Sequence, residues 1–556
     1  QRQVIHDNTC SATQWDTTYD FIVVGGGTAG AIVANKLSLN KSTRVIVLES
    51  GGPQSALYND IPAMNHKAVG MTALNWYYYY QPNKNYGKQF AGGKVPENAG
   101  KTLGGSSAHN GMGFIRGNSR DYDEWANTYG AVGWSYRDVL PVFREWENNT
   151  NPIIVHNEPE YHGTRGPIQI STPNNPDAIL FKYFNAFNEL GYKETDINGP
   201  NQTGYAISQS FLGLRTGTGN IFVDPNPHPD NLQIVCKALV TKILFNGLTA
   251  IGVEFIVNDI SYTVYANKEV IVSGGAIQSP QLLLLSGIGP KQHLKRFKIP
   301  VVLDLPVGLN FQNHPVVDLH AVLKPQYLSL INPIPEINVH QLSQLYYNRG
   351  GQLASLPLMT SYLNTRSNRD KEWPNVEIQV LRGNTPSITA LINLVKSTSG
   401  GTIMLQSTDP LLPPLMDPNW YSNAADKANM LEAVTIMFYV HERTQLAHYI
   451  QPLPPFSAIG CPDCPDKQYL YECVDGLKCF IKYNTVTGGH PSGTCRMGAI
   501  ERPDVVVDPQ LRVKGAANLR VCDASVFPVI PNGNTASAAI LVGYKCAQFI
   551  EHFYNL

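Results

Sequence analysis

The stretch that decides the fold is YDFIVVGGGTAGAIVANKLSLNKSTRVIVLESGG, residues 19–52. An apolar run at residues 19–24 predicts a strand, the glycine-rich turn after it opens a helical segment, and residues 44–48 predict a second strand. Gly25, Gly27 and Gly30 satisfy the pattern G-x-G-x-x-G at the start of the helix. This order of elements predicts a strand-turn-helix-strand unit that binds a dinucleotide.

Each glycine of the turn has a separate physical role. Gly25 permits the tight turn, Gly27 lets a pyrophosphate approach the backbone, and Gly30 lets the helix pack closely on the strand. The helix N-terminus then faces the phosphates, where free N–H groups and the helix dipole favour negative charge. Glu49 ends the second strand, and we expect its carboxylate to accept hydrogen bonds from an adenosine ribose. The unit therefore predicts FAD or NAD.

Length and charge restrict the remaining possibilities. A chain of 556 residues is too long for one hydrophobic core, so we expect two domains with interleaved segments. Lys and Arg number 42 against 43 Asp and Glu, for a net charge of −1, which argues against nucleic acid as a partner. No run approaches the roughly 20 apolar residues of a membrane span, so we expect no membrane insertion.

Three features favour a secreted, N-glycosylated protein. The sequence begins at Gln1, as in a chain whose signal peptide has been removed, although an expression product has the same form. Acceptor sequons occur at Asn40, Asn148 and Asn201. Cysteines also crowd into one polar insertion, a pattern that is typical of secreted proteins.

The cysteines of this insertion allow two interpretations. Cys461, Cys464, Cys473 and Cys479 have a spacing that suits zinc, yet two local disulfides are favoured in a secreted chain, with three connectivities open. We therefore predict no metal site. Cys495 and Cys522 lie in apolar segments and are predicted to be buried thiols.

Of two further stretches beyond the first turn, the aromatic run carries little weight alone and the second is the informative one. The run WYYYY at residues 76–80 is able to line a pocket, although such a run more often belongs to the core or to a strand face. The sequence GKTLGGSSAHNGM at residues 100–112 is a second series of small and hydroxylated residues, which lets backbone run close to a flat, charged ligand.

These stretches, with others downstream, resemble the glucose-methanol-choline (GMC) flavoprotein oxidoreductases nearly end to end. Residues 100–110 resemble a first motif of that family and GAIQSPQLLLLSGIG at residues 275–289 a second. VGLNFQNH at residues 307–314 resembles a third, with Asn313 where the family usually has Asp. HPSGTCRMG at residues 490–498 and LRVCDASVFP at residues 519–528 complete the set. The connecting segments are most similar to the secreted animal, arthropod-type branch.

The resemblance implies FAD rather than NAD, and it implies an α/β fold. A Rossmann-like FAD domain is then assembled from residues 15–165, 231–317 and 479–556, with strands at 232–235, 269–273 and 519–522 returning to the sheet begun at residue 21. Residues 166–230 and 318–478 are expected to form an α+β substrate domain whose antiparallel sheet lies over the flavin.

The resemblance also implies a set of cofactor-binding residues along the motifs. They are Gly25, Gly27, Thr28, Ala29, Gly30, Glu49, Ser50, Lys101, Gly104, Gly105, Ser106, His109, Asn110, Gly111, Val240, Gly275, Asp523, Ala524, Asn534 and Thr535.

Two C-terminal residues are the candidates for catalysis. Removal of hydride from an alcohol carbon requires loss of the hydroxyl proton, and His has a pKa of about 6.5 that suits a base at neutral pH. His490 lies in a turn with Pro491 and Gly493, which projects its side chain. Asn534 falls where the family carries a second His or Asn, and its amide is able to donate to the substrate oxygen.

The sequence therefore predicts FAD-dependent oxidation of a small alcohol, with oxygen or another electron acceptor. A low charge and the aromatic residues Tyr327, Tyr346, Tyr347, Tyr362 and Phe438 in the substrate segments favour an aromatic alcohol or a cyanohydrin. A sugar dehydrogenase, a hydroxynitrile lyase with an idle flavin and a flavoprotein without catalysis are the alternatives.

His109 is the clearest departure from the common family pattern. It stands where most members carry an aliphatic residue, at the position of the histidine that tethers the flavin 8α-methyl carbon in choline-oxidase-like relatives. We therefore consider covalent attachment of FAD through His109, with simple packing of His109 on the flavin edge as the alternative.

Overall fold

The structure is a computed structural model that describes residues 1–64, 70–211, 217–333, 337–348, 351–354, 357–383 and 386–556. The α-helices in these ranges are α1 (Arg2–Thr9), α2 (Gly30–Ser38), α3 (Ser119–Asn127), α4 (Tyr136–Trp146), α5 (Pro152–Asn157), α6 (Ala178–Glu189), α7 (Thr218–Phe222), α8 (Gly275–Leu285), α9 (Lys291–Arg296), α10 (Val339–Asn348), α11 (Ala424–Arg443), α12 (Val474–Asn484) and α13 (Ala536–Tyr554). The strands are β1 (Thr18–Val24), β2 (Val45–Glu49), β3 (Asn75–Tyr79), β4 (Pro96–Gly100), β5 (Glu147–Asn149), β6 (Ile168–Ser171), β7 (Gly204–Ile207), β8 (Ser210–Phe211), β9 (Leu232–Cys236), β10 (Leu239–Asn246), β11 (Thr249–Val257), β12 (Ile260–Val272), β13 (Leu309–Phe311), β14 (Pro315–Val322), β15 (Leu358–Leu363), β16 (Val376–Arg382), β17 (Ser387–Leu394), β18 (Gly401–Met404), β19 (Leu415–Asp417), β20 (Thr485–Thr487) and β21 (Leu519–Val521).

A seven-stranded sheet carries the predicted nucleotide unit. Its order is β10-β11-β12-β1-β2-β9, with β21 also paired to β12. Strands β1, β2, β9, β12 and β21 pair in parallel. The inner strands β1 and β2 are almost wholly buried, as expected of parallel strands that are covered on both faces. The three returning strands predicted at residues 232–235, 269–273 and 519–522 are confirmed as β9, the end of β12 and β21.

Two helices cover the sheet beside the glycine turn. Helix α2 follows the turn directly, and the long C-terminal helix α13 packs across it. The crossing is close because Gly543 of α13 carries no side chain, and a methyl group built there lies 2.9 Å from the Ala29 carbonyl oxygen. The C-terminal segment therefore supports the nucleotide unit from behind.

A second sheet, the roof sheet, is wholly antiparallel. Its order is β20-β14-β17-β16-β15-β7. One face packs against α11 and an apolar core that includes Val376, Ile378 and Val380. Strand β20 belongs to this sheet although it precedes His490 by only a few residues, so the roof sheet and the His490 turn are directly connected. The boundaries between the two domains remain a prediction.

The disulfides correct one expectation and extend another. Cys461 pairs with Cys479 and Cys464 with Cys473, which resolves the connectivity within the insertion. Cys10 pairs with Cys236 and thereby fixes α1 to the end of β9. Cys495 is a buried free thiol, as predicted.

The prediction of a buried thiol was wrong for Cys522, which pairs with Cys546. Cys522 follows β21 and Cys546 lies in α13, and their Cα atoms are 6.2 Å apart because the helix packs over the end of this strand. Buried disulfides and buried free thiols both occur in apolar segments. The local sequence therefore does not distinguish a disulfide-bonded Cys522 from a free thiol.

The sequons differ in accessibility. Asn201 is exposed, whereas Asn40 and Asn148 are partly buried. Within the ranges that the structure describes, no helix is long and apolar enough to cross a membrane, and no group of three or more His, Cys, Asp or Glu side chains is arranged to hold a metal ion.

Candidate active site

The first glycine turn brings three backbone segments into contact. Gly25 has φ +97°, and a methyl group there would lie 2.5 Å from the Ser273 carbonyl oxygen. A methyl group at Gly30 would lie 2.0 Å from the Gly25 carbonyl oxygen. No side chain fits at either position, so β1, α2 and the end of β12 meet only because both residues are glycine. Gly27, Thr28 and Ala29 then line a cavity of about 430 Å³.

Glu49 and Ser50 form the next part of the cavity wall. The Glu49 carboxylate accepts hydrogen bonds from the backbone N–H groups of Gly26 at 2.8 Å and Gly51 at 2.7 Å. Burial raises the pKa of Glu49 to about 7, although both hydrogen bonds and the nearby Lys101 favour the ionised form. The carboxylate that was expected at the ribose thus also braces the glycine turn.

The second glycine stretch packs on the first, backbone against backbone. Gly104 has φ +85° and donates from its N–H to the Gly26 carbonyl oxygen at 2.7 Å. A methyl group at Gly105 would lie 2.9 Å from the Cα atom of Gly27. Beyond this contact, Ser106, His109, Asn110 and Gly111 face the cavity. Two motifs separated by about 75 residues therefore build one continuous wall.

Another part of the wall comes from α8 and the segment after β21. Gly275, Asp523, Ala524 and Thr535 line it. Asp523 accepts hydrogen bonds from the Gly275 N–H at 2.9 Å and the Ser279 hydroxyl at 2.6 Å, and burial raises its pKa. This carboxylate holds the N-terminus of α8 against the cavity.

Four of the predicted cofactor residues do not line this cavity. Gly30 and Gly104 lie one layer behind it in the backbone contacts described above. Val240 lines a small adjoining cavity of about 40 Å³, together with Gly25 and Ser50. The Lys101 ammonium lies 4.3 Å from the Trp76 ring centre.

The cavity has the features that FAD requires. A methyl group built at Gly111 or at Gly275 meets no protein atom within 4 Å, so the backbone at both points is open to a ligand. The start of α2 supplies free N–H groups for phosphates. Trp76 and Tyr78, from the aromatic run, also line the cavity and are able to contact a flat ring. The residues present therefore fit a flavin dinucleotide.

His490 and Asn534 meet at the cavity wall. The Asn534 Nδ2 atom lies 3.1 Å from Nε2 of His490. Burial lowers the pKa of His490 to about 4, so its imidazole is neutral at physiological pH. On the other side of the ring, His490 Nδ1 lies 3.0 Å from Nδ1 of His314, a second buried histidine whose pKa is also lowered by burial.

A buried polar cluster holds the backbone at His490. The His490 N–H donates to Oδ1 of Asn313 at 2.9 Å. The Asn313 Nδ2 atom donates to Glu97 at 2.9 Å, and Tyr80 and Thr487 donate their hydroxyls to the same Glu97 carboxylate. Burial raises the pKa of Glu97 to about 7. Asn313 therefore links a carboxylate on β4 to the His490 turn.

A second buried cluster holds Asn534. Gln379 on β16 donates from Nε2 to Oδ1 of Asn534 at 3.0 Å and to Oε1 of Glu377 at 3.0 Å. The Tyr362 hydroxyl donates to the same Glu377 oxygen at 3.1 Å. Sequence reasoning missed Gln379, Glu377 and Glu97, because nothing within their own strands sets them apart from structural polar residues.

The five aromatic residues of the substrate segments that favoured an aromatic alcohol do not line this cavity. Tyr362 contacts Glu377, Phe438 packs in the roof core, and Tyr346 packs with Ile61 and Met64. Tyr327 contacts His448, and Tyr347 is 84% exposed. Aromatic content counted by segment does not identify the residues that line a cavity, because burial and strand face decide which side chains reach it. Trp76 and Tyr78 occupy the wall instead.

Comparison with known proteins agrees with this architecture. A family description, GMC oxidoreductase, matches residues 19–316 with its N-terminal part and residues 397–543 with its C-terminal part. The chain belongs to the GMC oxidoreductase family. Like the family, it binds FAD and is an FAD-dependent oxidoreductase of alcohol-type substrates.

Among GMC relatives, glucose dehydrogenase [FAD, quinone] of Drosophila pseudoobscura pseudoobscura is 31% identical, over 97% of this chain and 88% of the relative. An oxygen-dependent choline dehydrogenase of Brucella anthropi is also 31% identical, over 96% of this chain and 95% of the relative. Among solved structures, a variant of Aspergillus oryzae formate oxidase superimposes with a TM-score of 0.83 at 25% identity, covering 98% of this chain and all of that chain.

Proposed function

We propose that this GMC oxidoreductase oxidises a small uncharged alcohol, of the aromatic or cyanohydrin type exemplified by salicyl alcohol and mandelonitrile, to an aldehyde, ketone or acyl product. His490 acts as the base and Asn534 orients the substrate. The observation that carries the proposal is the contact between Nε2 of His490 and Nδ2 of Asn534 at the wall of the cavity.

The chemistry assigned to these residues follows from their protonation states. A neutral His490 accepts the hydroxyl proton of the substrate at a ring nitrogen, which is the requirement for general-base catalysis. The Asn534 amide donates to the substrate oxygen as negative charge develops on it and does not compete for the proton. FAD, when bound, supplies the acceptor for the hydride that leaves the alcohol carbon.

The charges around the cavity favour an uncharged substrate. Among the described residues of its wall, the carboxylates are Glu49 and Asp523. Both already accept hydrogen bonds from glycine N–H groups. Neither is hydrogen-bonded to Asn534 or to the His490 ring, where the alcohol is proposed to bind, so we expect choline to be a poorer substrate. Trp76 and Tyr78 supply aromatic surface. The relationship to a glucose dehydrogenase keeps a sugar as the second candidate substrate.

One anaerobic experiment tests the reaction and the substrate class together. The yellow protein is mixed with salicyl alcohol, mandelonitrile, benzyl alcohol, glucose and choline, and the flavin absorbance is followed. We expect rapid bleaching with the aromatic alcohols and little with choline. Faster bleaching with glucose would favour the sugar dehydrogenase, and release of cyanide and aldehyde without bleaching would indicate a lyase. Readmission of oxygen, or of a quinone, then identifies the electron acceptor.

We further propose that His109 attaches FAD covalently through the 8α carbon. The His109 side chain is buried, lines the cavity and follows directly on the second glycine stretch. Attachment would replace the imidazole N–H and one 8α C–H by a C–N bond; the two hydrogens would leave as protons, and the electron acceptor of the enzyme would take up the two electrons. After acid precipitation we expect a yellow pellet and a His109 peptide heavier by one flavin. Complete release of FAD into the supernatant would leave His109 as a packing residue.

We also propose that the protein is secreted and glycosylated at Asn201. Four disulfides are typical of an oxidising compartment, and Asn201 is the exposed member of the three sequons. Protein from insect cells should lose mass on treatment with an N-glycosidase, and Asn201→Gln should remove most of that change. An unchanged mass after treatment would reject the glycosylation.

A further inference from the structure

Gln379 occupies a special position in the roof sheet. Side chains alternate between the two faces of β16, so Val376, Ile378 and Val380 enter the roof core while Glu377 and Gln379 face the opposite side. On that side the buried Gln379 amide reaches Asn534, at the cavity wall. A polar side chain of the roof sheet thus contacts a residue of the proposed catalytic pair directly.

The hydrogen bonds of Gln379 have a fixed direction. A primary amide nitrogen carries two hydrogens and accepts none, and Gln379 Nε2 lies 3.0 Å from a Glu377 oxygen and 3.0 Å from the Asn534 oxygen. Both partners are acceptors, so the Gln379 amide uses both of its N–H groups. The Glu377 oxygen is itself held by the Tyr362 hydroxyl.

The orientation of the Asn534 amide in turn determines which nitrogen of His490 carries the ring hydrogen. Because the Asn534 oxygen accepts from Gln379, the Asn534 nitrogen must face His490 Nε2, at 3.1 Å. An amide nitrogen only donates, so His490 Nε2 accepts and carries no hydrogen. The ring hydrogen of neutral His490 then lies on Nδ1, which is 3.0 Å from His314. Each step in the series leaves one arrangement of donors and acceptors.

We propose that Gln379 is a positioning residue that sets the orientation of the Asn534 amide and, through it, the tautomer of His490 whose Nε2 lone pair accepts the substrate proton once the substrate hydroxyl replaces the Asn534 N–H at that nitrogen. The proposal rests on the proposed roles of His490 and Asn534 and extends them to the roof sheet. Glu377 and Tyr362 fix the orientation of the Gln379 amide, so the direction of these hydrogen bonds is set on the face of the roof sheet opposite its apolar core.

An isosteric substitution reverses this direction. In Gln379→Glu an oxygen replaces Nε2 between the Glu377 oxygen and the Asn534 oxygen. The introduced carboxylate, when ionised, has no hydrogen to donate, so the Asn534 amide turns and donates to it. The Asn534 oxygen then faces His490 Nε2, which must carry the ring hydrogen and loses its capacity to accept the substrate proton. An imidazole in the wrong tautomer is a poor base.

The experiment measures the anaerobic rate of flavin reduction in Q379E against pH. At about pH 8 we expect Q379E to retain FAD and to be reduced at least about 100-fold more slowly than wild type. Burial raises the pKa of Glu377 to about 7, and a second carboxylate beside it raises the pKa of the pair further, so at about pH 8 the two carboxylates share one proton between them and the Asn534 oxygen still has no donor. Towards about pH 5.5 the pair takes up its second proton, and the O–H at position 379 then donates to Asn534. We therefore expect the rate relative to wild type to recover several-fold. Among the described residues, the titratable groups facing position 379 are Glu377, Tyr362 and, through Asn534, His490.

Two variants separate orientation from charge and from folding. The double variant E377Q/Q379E keeps one carboxylate, yet nothing in it donates to the Asn534 oxygen at about pH 8, so it should remain as slow as Q379E. Wild-type rates in the double variant would assign the effect to charge and overturn the proposal. Q379M removes both N–H groups without adding charge, and we expect its flavin to be reduced about 10-fold more slowly than that of the wild type. Wild-type rates in Q379M, or in Q379E at all pH values, would also overturn it.

A measurement that does not depend on turnover tests the role of Gln379 separately from the role of His490 as the base. In protein labelled with ¹⁵N-histidine, NMR should show Nε2 of His490 unprotonated in the wild type and protonated in Q379E at about pH 8, with H490A identifying the signal. The same tautomer in both proteins would reject the role of Gln379 even if His490 is the base. Flavin reduction in H490A at the wild-type rate would instead reject the proposed function and leave the tautomer result standing.

Discussion

The glycine-lined wall of the cavity and the wall that carries His490 and Asn534 are built in different ways. The first is made of backbone, where Gly25, Gly30 and Gly105 approach other main-chain atoms so closely that no side chain fits. The second is made of side chains, since His490 and Asn534 are held by amides and carboxylates from β4, β16 and the segment after β13. The glycine-lined wall requires that its glycines carry no side chains, whereas the wall with His490 and Asn534 requires hydrogen bonds with a defined donor and acceptor.

This difference predicts how each wall responds to mutation. A methyl group added to the backbone wall displaces main chain, so the cofactor site is lost as a whole. An exchange of polar atoms in the side-chain wall leaves the volume unchanged and reverses donors and acceptors, so FAD should stay bound while the reaction slows. The variants below test whether the two walls separate in this way.

The largest effect should come from Gly30→Ala. Its methyl group would lie 2.0 Å from the Gly25 carbonyl oxygen, so β1 and α2 must separate at the phosphate site. We expect the purified protein to lose most of its FAD, measured as the ratio of flavin to protein absorbance, and to unfold with about 1–3 kcal/mol less stability. Gly400→Ala, where a methyl group meets nothing within 4 Å, is the matched control. Normal FAD content in G30A would contradict the contact described here.

The next largest effect should come from His490→Ala, on the side-chain wall. FAD content should stay normal while flavin reduction falls about 10²–10⁴-fold, the range for loss of a general base. Asn534→Ala should cost less, since it removes one hydrogen bond and leaves the base. In the wild type His490 is unprotonated above its pKa of about 4, so the reduction rate should stay high at neutral pH and fall as pH approaches 4. A larger loss in N534A than in H490A would reverse the assigned roles.

The same contrast explains what the sequence could predict. Gly25, Gly27, Gly30 and Glu49 occur at fixed spacings within one strand-turn-helix-strand unit, so the parallel sheet and the dinucleotide site followed from local pattern. Gln379 and Glu97 have no such pattern, because the residues that connect them to the site, Asn534 and Asn313, lie 155 and 216 residues away in sequence.

The face of a strand on which a side chain lies, and the partner of a cysteine, also could not be predicted from the sequence. The aromatic residues of the roof and the partner of Cys522 depend on which way a strand turns its side chains and on which helix covers it, and composition fixes neither. Trp76 and Tyr78 share a face of β3 and reach the cavity, which the run of aromatics alone did not decide.

A smaller effect on flavin reduction should come from adding a carboxylate at Asn313, which lies between Glu97 and the His490 backbone. Asn313→Asp would place a carboxylate oxygen about 3 Å from that of Glu97, in place of an N–H donor. We expect a loss of about 1–3 kcal/mol in stability and about 10-fold slower flavin reduction. In the double variant E97Q/N313D an amide again faces a carboxylate, so both values should largely return. An additive double variant would show that Asn313 and Glu97 are not coupled.

The single variant Glu97→Gln tests the buried charge by pH. The folded-state pKa of Glu97 is about 7, above the unfolded value of 4.5, so the folded protein binds this proton more tightly between pH 4.5 and 7. Glu97 therefore lowers stability progressively as pH rises through that window. The melting temperature of E97Q relative to wild type should be higher at about pH 8 than at about pH 5. A pH-independent difference would show that Glu97 does not titrate in this range.

The smallest effect on the reaction should come from the cysteine insertion, which touches neither wall. Cys464–Cys473 closes a loop with a sequence separation of 9, so its loss in C464S/C473S should cost about 3 kcal/mol of stability, largely through the unfolded state. Cys473 lies beside Phe456 and Gly476 in the roof core, and none of these residues lines the cavity. FAD content and flavin reduction should stay within about two-fold of wild type. The pair C461S/C479S, with a separation of 18, is the matched variant and should behave alike, with a slightly larger loss of stability. Slower flavin reduction in either variant, at a temperature where both are folded, would mean that the roof core transmits strain to Asn534 through β16, and the side-chain wall would then extend beyond the hydrogen bonds described here.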